Sequence, residues 1–378
     1  MRTWLARQRS LLDFALGSLW RRKGKNLALT AVYALTVAAV ASVLFFTGAL
    51  RAEAARVLAG SPEVVVQRMV AGRHDLLPAG HLQALRGIRG VGEIRGRLWG
   101  YFHDPTPQAN YTIQVPDRFW GEEGQAVVGQ GVARARRLAP GSPLDLVAHD
   151  GSTLRLRVRE LLASGSELVS ADLVLISEAD FRRLFGVPPG VYTDAVLTVR
   201  NPREVSTVAA KVAAALPDTR PITREELART YESIFDWRAG LSVIVLGAAV
   251  LAFVVVAWDK ASGLSAEERR EIGVLKAVGW ETSDVLALKA WEGAAVSLTA
   301  FGAGVLAAYA HVFLLGAPIF RPALQGWSVL YPQFRLVPEV GPYQLATLFF
   351  LSVAPYTAAT VVPSWRAATV DPDAVMRS

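Results

Sequence analysis

Lys289 and Glu292 stand one helical turn apart at the start of a long apolar run, the first pairing of types and spacing that could do chemistry. An ion pair deep in a membrane marks a path for charge, whereas one near its edge lets the lysine stem reach toward headgroups. The edge position favours a structural pair with Lys289 snorkelling to the cytoplasmic interface. His74, His81, His103 and Asp104 supply ligand-type side chains. Without cysteine or a tight acidic cluster beside them they read as surface residues rather than a metal site. His311, near the far end of the same run, reads as an interfacial histidine. Arg86, Arg89, Arg95 and Arg97 lie in a segment whose charges nearly balance, so they form a solvated face rather than a focused anion site. No G-x-x-x-x-G-K-[ST] loop occurs, so the chain is not its own P-loop ATPase, and it has neither a G-x-S-x-G elbow nor an H-E-x-x-H helix. Zero cysteines exclude disulfides, thiol catalysis and cysteine-held metals. The expectation is a non-catalytic chain with no cofactor or metal of its own.

The elements that carry these residues are set by hydropathy. The chain is 52% hydrophobic and 19% charged over 378 residues, with mean hydropathy +0.30. An ordinary soluble domain is about a quarter charged. The bias is localised in four stretches nearly free of charge, 26–50, 239–258, 293–316 and 343–363. Each is about 20 residues or slightly longer, enough at 1.5 Å per residue to cross a hydrocarbon core of roughly 30 Å. The formal charge of +7 points away from nucleic acid, because much of it (Arg2, Arg7, Arg9, Arg21, Arg22, Lys23, Lys25) directly precedes the first span. Such a cluster stays in the cytoplasm. That span is too long for a cleaved signal peptide. The predicted fold class is an α-helical membrane protein, with four transmembrane helices and a large α+β extracytoplasmic domain between helices 1 and 2. Both termini are cytoplasmic, and the expected site is a bacterial inner membrane.

Residues 1–25 read as an amphipathic helix lying among lipid headgroups, with Leu11, Leu12, Phe14, Leu16, Leu19 and Trp20 as its apolar face. Residues 26–59 combine the first span with a projecting stalk that keeps Ala54 and Leu58 on one side and stops at Gly60-Ser61-Pro62. Residues 60–222 alternate strand and helix signals. Strands are predicted at 63–69, 91–102, 111–115, 142–147, 153–160 and 191–199, with a hairpin turn at Asp150-Gly151. Helices are predicted at 78–86, after Ser177, and from Asn201-Pro202 onward. In 223–258 the capping box Thr223-Arg224-Glu225-Glu226 opens a helix that lacks proline through the second span, roughly 50 Å long. Leu227, Tyr231 and Ile234 would form its seam against Leu58, giving a two-helix stalk. A kink near Gly240 is the alternative. The loop 259–284 holds a helix from Ser265 to Gly279 with Ile272, Leu275 and Val278 on its apolar side. Residues 285–316 form the third span, where Gly293, Gly302 and Gly304 permit close approach of another helix. The loop 317–342 is rich in proline and aromatics and should rest on the outer leaflet; 343–363 is the fourth span and 364–378 a cytoplasmic tail.

The stretch Glu268-Arg269-Arg270-Glu271-Ile272-Gly273-Val274-Leu275-Lys276-Ala277-Val278-Gly279-Trp280 resembles the E-R-x-x-E-I-G-x-L-K-A-x-G signature of the FtsX/MacB-type (type VII) ABC transporter permeases. Pro363-Ser364-Trp365-Arg366-Ala367-Ala368 before Asp371-Pro372 is similar to the family's ending. Val127-Val128-Gly129-Gln130-Gly131-Val132-Ala133 with Pro140-Gly141 is similar to its V-x-G-x-x-x-A…G-D segment, although Ser142 stands where an acid is usual. The resemblance implies a permease that dimerises with a second copy and binds a separate ABC ATPase, which holds ATP and Mg. It implies that Glu268, Arg269, Glu271, Ile272, Gly273, Leu275, Lys276 and Gly279 form the ATPase-docking coupling helix. ATP-driven motion would pass along the stalk to the periplasmic domain, serving a lipophilic, lipoprotein or peptide cargo or a periplasmic partner. Membrane lipids are further partners. A membrane-anchored receptor or scaffold without ATP coupling is the other reading.

Overall fold

The computed structural model describes residues 2–117, 122–162, 170–230, 247–248, 251–252, 255, 266–320, 329–330 and 336–369. The chain divides into two compact units: one of Met1–Leu50, Asp236–Pro318 and Leu336–Ser378, the other of Arg51–Phe235 and Ile319–Arg335.

The first unit is helical. Helix α1 (Arg2–Arg21) is followed by α2 (Lys23–Ala59), which ends directly before the predicted Gly60-Ser61-Pro62 stop. Next in this unit come α7 (Ala266–Ala277), α8 (Thr282–Tyr309) and α9 (Pro342–Thr369). Among the described residues, three stretches are long and apolar enough to cross a membrane: Lys23–Ala59, Thr282–Leu314 and Pro342–Val361. The fourth predicted span, 239–258, lies mostly outside the described residues. A capping box between Glu281 and Asp284 starts α8, and a π-helical turn, Ala310–Leu314, ends it. Glycine decides where helices meet. A Cβ on Gly304 would fall 2.6 Å from Val37 Cβ and 2.7 Å from the Ala34 carbonyl oxygen, so α2 and α8 pack backbone to backbone there. Gly293 is packed in the same way against Thr360 of α9, 2.4 Å from its Oγ1. Gly302 meets no described atom within 4 Å. Tyr33 of α2 is buried against Tyr356 and donates to the Ser352 carbonyl of α9.

Helix α1 forms where expected, and part of its apolar face packs against its own chain. Leu11 and Ala15 are buried, Phe14 packs on Trp280, Trp291 donates to Gln8 at 2.8 Å, and Arg7 pairs with Asp284. Leu5, Leu16 and Trp20 remain exposed.

The second unit carries the α+β structure. One sheet is antiparallel: β1 (Val64–Val70) lies between β12 (Asp194–Val199) and β13 (Thr219–Thr223), β4 (Val91–Arg97) flanks β12, and β2 (Arg73–Asp75) pairs with β1. The helices α3 (Ala79–Arg86) and α6 (Val205–Ala215) close its core, around Val64, Leu77, Leu85, Leu197, Val208 and Val212. A short ladder joins β3 (Leu77–Pro78) to β11 (Val191–Tyr192). The mixed six-stranded sheet contains β5 (Trp99–Asp104), β6 (Ala109–Gln114), β7 (Gln125–Val128), β8 (Pro143–Val147), β9 (Thr153–Leu161) and β10 (Leu173–Ile176), in the order β5-β6-β10-β7-β9-β8. Helices α4 (Gln130–Arg136) and α5 (Glu178–Phe185) cover it. The β8–β9 hairpin turns at Asp150-Gly151 as predicted, with Gly151 at φ 81° and Ser152 N–H donating to Asp150. Ser177 caps α5 by accepting from Asp180 N–H, and Asn201 accepts from Arg203 N–H ahead of α6.

Two predicted strands, 91–102 and 191–199, are each broken in two, and both breaks meet at Thr193. Arg97 still belongs to β4, Leu98 turns into the core of the other sheet, and Trp99 begins β5. Thr193 N–H donates to the Arg97 carbonyl, while its hydroxyl bridges the Trp99 backbone N–H and carbonyl. Nor is 194–199 a half-buried strand, for only Thr198 is exposed. A strand that changes sheets has both faces covered and loses the period-two signature of a one-sided strand. The loop 317–342 also departs from expectation: Leu330 packs into the core of the six-stranded sheet, while 321–328 and 331–335 lie outside the described residues.

Candidate functional site

The signature stretch folds as α7, and Gly279 ends it. At φ 102° Gly279 adopts the left-handed conformation that closes a helix, with its N–H donating to the Lys276 carbonyl and Trp280 N–H to Leu275. The predicted apolar side is divided by the helix. Ile272, 2% exposed, is buried with Val285 and Trp280 in a small core of its own chain, and Gly273 is buried beside it. Leu275 and Lys276 are half-buried, while Val274 and Val278 face outward at 49% and 77% exposure. Arg270, Ala277 and Gly279 are exposed with them. Ile272 thus packs within its own chain, and the exposed apolar residues of α7, among those described, are Val274, Ala277 and Val278. The reason is rotational: residues 274 and 278 are four apart and share a face, whereas 272 lies about 200° from 274.

The two acids of the signature also point into the chain. Arg22 reaches Glu268 at 3.4 Å and Glu271 at 3.1 Å, and Arg21 reaches Glu271 at 3.4 Å. The side chain of Arg269 and the predicted cap, Ser265, lie outside the described residues. Behind Arg22 is a cavity of about 40 Å³ lined by Asn26, Glu268, Lys289, Glu292, Tyr356 and Thr360 among others. Lys289 is 5% exposed and its Nζ lies 2.6 Å from Glu292. The snorkelling expectation is thus corrected: Lys289 and Glu292 belong to this enclosed cluster, and Lys289 turns sideways to its partner instead of out to headgroups. Glu292 Oε1 and the Tyr356 hydroxyl are buried without a hydrogen-bond partner.

In the α+β unit a groove of about 700 Å³ is walled by Arg51, Ala54, Ala55, Leu58 and Ala59 of α2, and across from them by Pro202, Val205, Arg224, Glu225 and Ala228. Leu58 lines this groove and Leu227 is half-buried, while Tyr231 and Ile234 of the predicted stalk seam lie outside the described residues. So does most of the continuous helix predicted from Arg224 to Trp258; residues 224–230 are helical, with Thr223 Oγ1 capping Glu226 N–H. Asp218 holds both His81 and Arg68 at 3.1 Å. Burial opposes ionisation of Asp218, but the hydrogen bonds from His81 and Arg68 outweigh it and hold the carboxyl below its usual range. His74 contacts the Thr193 carbonyl and His103 contacts Asn110, so these three histidines have three separate partners. Arg97 departs from the solvated-face reading, being bonded through two nitrogens to Asp194 at 2.7 Å. Arg95 pairs with Asp117. His311 sits in the π-helical turn with its Nδ1 3.1 Å from Ser42.

Sequence reasoning missed Asp194, which is fully buried and also accepts from Trp99 Nε1 at 2.9 Å. The surface reading of Asp104 is corrected as well: it is 1% exposed and accepts from Tyr111 and Arg136. A lone aspartate inside an apolar strand was the available signal for Asp194. The segment likened to V-x-G-x-x-x-A has a plain steric cause: a Cβ on Gly129 would lie 2.0 Å from the Ser170 carbonyl oxygen, and one on Gly131 2.6 Å from that of Ala171.

Apolar helices long enough to span, together with a separate α+β unit, define a multi-pass membrane protein. The FtsX-like permease C-terminal family matches residues 239–372, which include α7, α8 and α9. Over those residues the chain is similar to the FtsX-like permeases, the family that its signature stretch resembles. An uncharacterized ABC transporter permease of Methanocaldococcus jannaschii is 30% identical over 115 residues, an alignment spanning 28% of this chain and 28% of that relative. Among solved structures, the extracellular domain of the noncanonic ABC-type transporter YknZ from Gram-positive bacteria is similar at a TM-score of 0.30 and 11% identity. That match covers 42% of this chain and 99% of the other, a likeness too slight to define a fold.

Proposed function

We propose that this chain is the permease subunit of an ATP-driven membrane machine and carries no hydrolytic chemistry itself. A separate ABC ATPase, holding ATP and Mg, docks on α7 at the cytoplasmic side of a bacterial inner membrane. The chain crosses that membrane four times, with both termini in the cytoplasm, and works as a dimer with a second copy. Closure of the ATPase is passed through the stalk to the α+β domain outside, where it acts on a lipophilic, lipoprotein or peptide cargo or on a periplasmic partner. The observation that carries this reading is the outward face of α7. Val274 and Val278 are apolar, exposed and adjacent to Arg270, on a helix whose other side is fixed to its own chain. Exposed apolar residues on such a rigid helix suit a protein groove. No observation favours the receptor or scaffold reading.

Affinity purification of the full chain from native membranes tests this. The expected result is a co-purifying Walker-A ATPase, lost in Val274→Asp/Val278→Asp and kept in Val278→Leu. Purification without a nucleotide hydrolase, or retention by the double aspartate variant, overturns it.

A further inference from the structure

We propose that Arg22 is the positioning residue of α7: its guanidinium, spanning Glu268 and Glu271, sets which face that helix turns outward. Three observations carry the inference. First, the ends of the fork reach two acids one turn apart on α7, and Arg21 adds a second cation to Glu271. A planar guanidinium can hold two carboxylates at once where a lysine would hold one. Second, the contact is sheltered, with Glu268 only 10% and Glu271 21% exposed, so water screens it less than a surface pair. Third, the apolar hold on α7 among the described residues is small. Ile272 is its one residue in a described apolar cluster, with Val285 and Trp280, and α7 is short. A helix of this length needs tertiary contacts to persist. Rotation of α7 by one residue would take Glu271 out of Arg22's reach and turn the apolar atoms of Val274 and Val278 away from their present direction.

Arg22 also lines the cavity beside Lys289 and Glu292, with Asn26, Tyr356 and Thr360 on its other walls. Among the described residues, the charges around it are Glu268 and Glu271 on α7, Arg21 on α1, and Lys289 and Glu292 on α8. Removing Arg22 takes a cation from a sheltered cluster that holds three acids, which buried carboxylates tolerate poorly.

The bearing of this on ATPase docking rests on the function proposed above, but the positioning itself can be read without the ATPase. Hydrogen exchange of residues 266–279 is measured on the full chain in nanodiscs, with the β8–β9 hairpin as internal reference for intact folding. Arg22→Gln should speed exchange in α7 about tenfold and leave the hairpin unchanged. Arg22→Lys, which keeps charge but loses the fork, should fall between. Unchanged α7 exchange in Arg22→Gln, or Arg22→Lys exchanging no faster than wild type, overturns the proposal. Intact α7 protection together with no ATPase binding would fault the docking reading alone.

Discussion

Replacing Asp194 should unfasten the place where the α+β unit passes from one sheet to the other. The carboxylate is fully buried and receives two hydrogen bonds from Arg97 at 2.7 Å and one from Trp99 at 2.9 Å. Asp194→Ala leaves a largely covered guanidinium and an indole N–H without their acceptor. Breaking a buried pair from one side costs about 3–5 kcal/mol. For a unit of this size each kcal/mol lowers Tm by about 2–4 °C, so the melting transition should fall by about 6–20 °C. The assay is thermal unfolding of the full chain in detergent by tryptophan fluorescence, with hydrogen exchange to place the loss in β4 and β12. Asp145→Ala, which removes an exposed partner of Arg155, is the control and should shift the transition little. Arg97→Met/Asp194→Leu, which removes both charges, should sit nearer wild type than either single change. If Asp194→Ala melts like Asp145→Ala, or the Arg97 and Asp194 effects simply add, the buried junction does not hold the sheets and the reasoning fails.

Other perturbations follow from the same contacts. Gly129→Ala should cost several kcal/mol, since its Cβ would meet the Ser170 carbonyl at 2.0 Å, and expression with a lowered Tm reads this directly. Gly304→Val should impair assembly of the helical unit by forcing α2 from α8, while Gly302→Val should not, a contrast visible in detergent stability. The depressed Asp218 carboxyl contributes stability that is complete above the ordinary carboxylate value of about 3.9 and is lost as pH falls through its lower folded value. Tm should therefore fall on acidification below about pH 4, and Asp218→Asn should remove part of that slope.

Much of the architecture could be read from residue order because its causes are local. Long charge-free runs, Gly279 at the end of α7, the Ser177 cap and the Asp150-Gly151 turn each act within a few residues of themselves. The missed features depend on partners far along the chain. Arg22 and Glu271 are 249 positions apart, and neither residue type signals the other. Asp194 needs Arg97 and Trp99 to make sense, and hydropathy alone cannot show that a strand changes sheets at Thr193. The signature acids were legible as a motif but not as inward-facing, because sequence spacing shows which residues share a helical face and not which way that face turns.

The central claim is that hydrolysis in a partner is governed by contact with α7. The most direct measurement is the ATP hydrolysis rate of the co-purified ABC ATPase, in nanodiscs, alone and with the wild-type chain or Val274→Asp/Val278→Asp. The account predicts a rate that changes when the wild-type chain is present and returns to the uncoupled value with the double variant. A rate indifferent to the wild-type chain, or equally altered by the double variant, would contradict it.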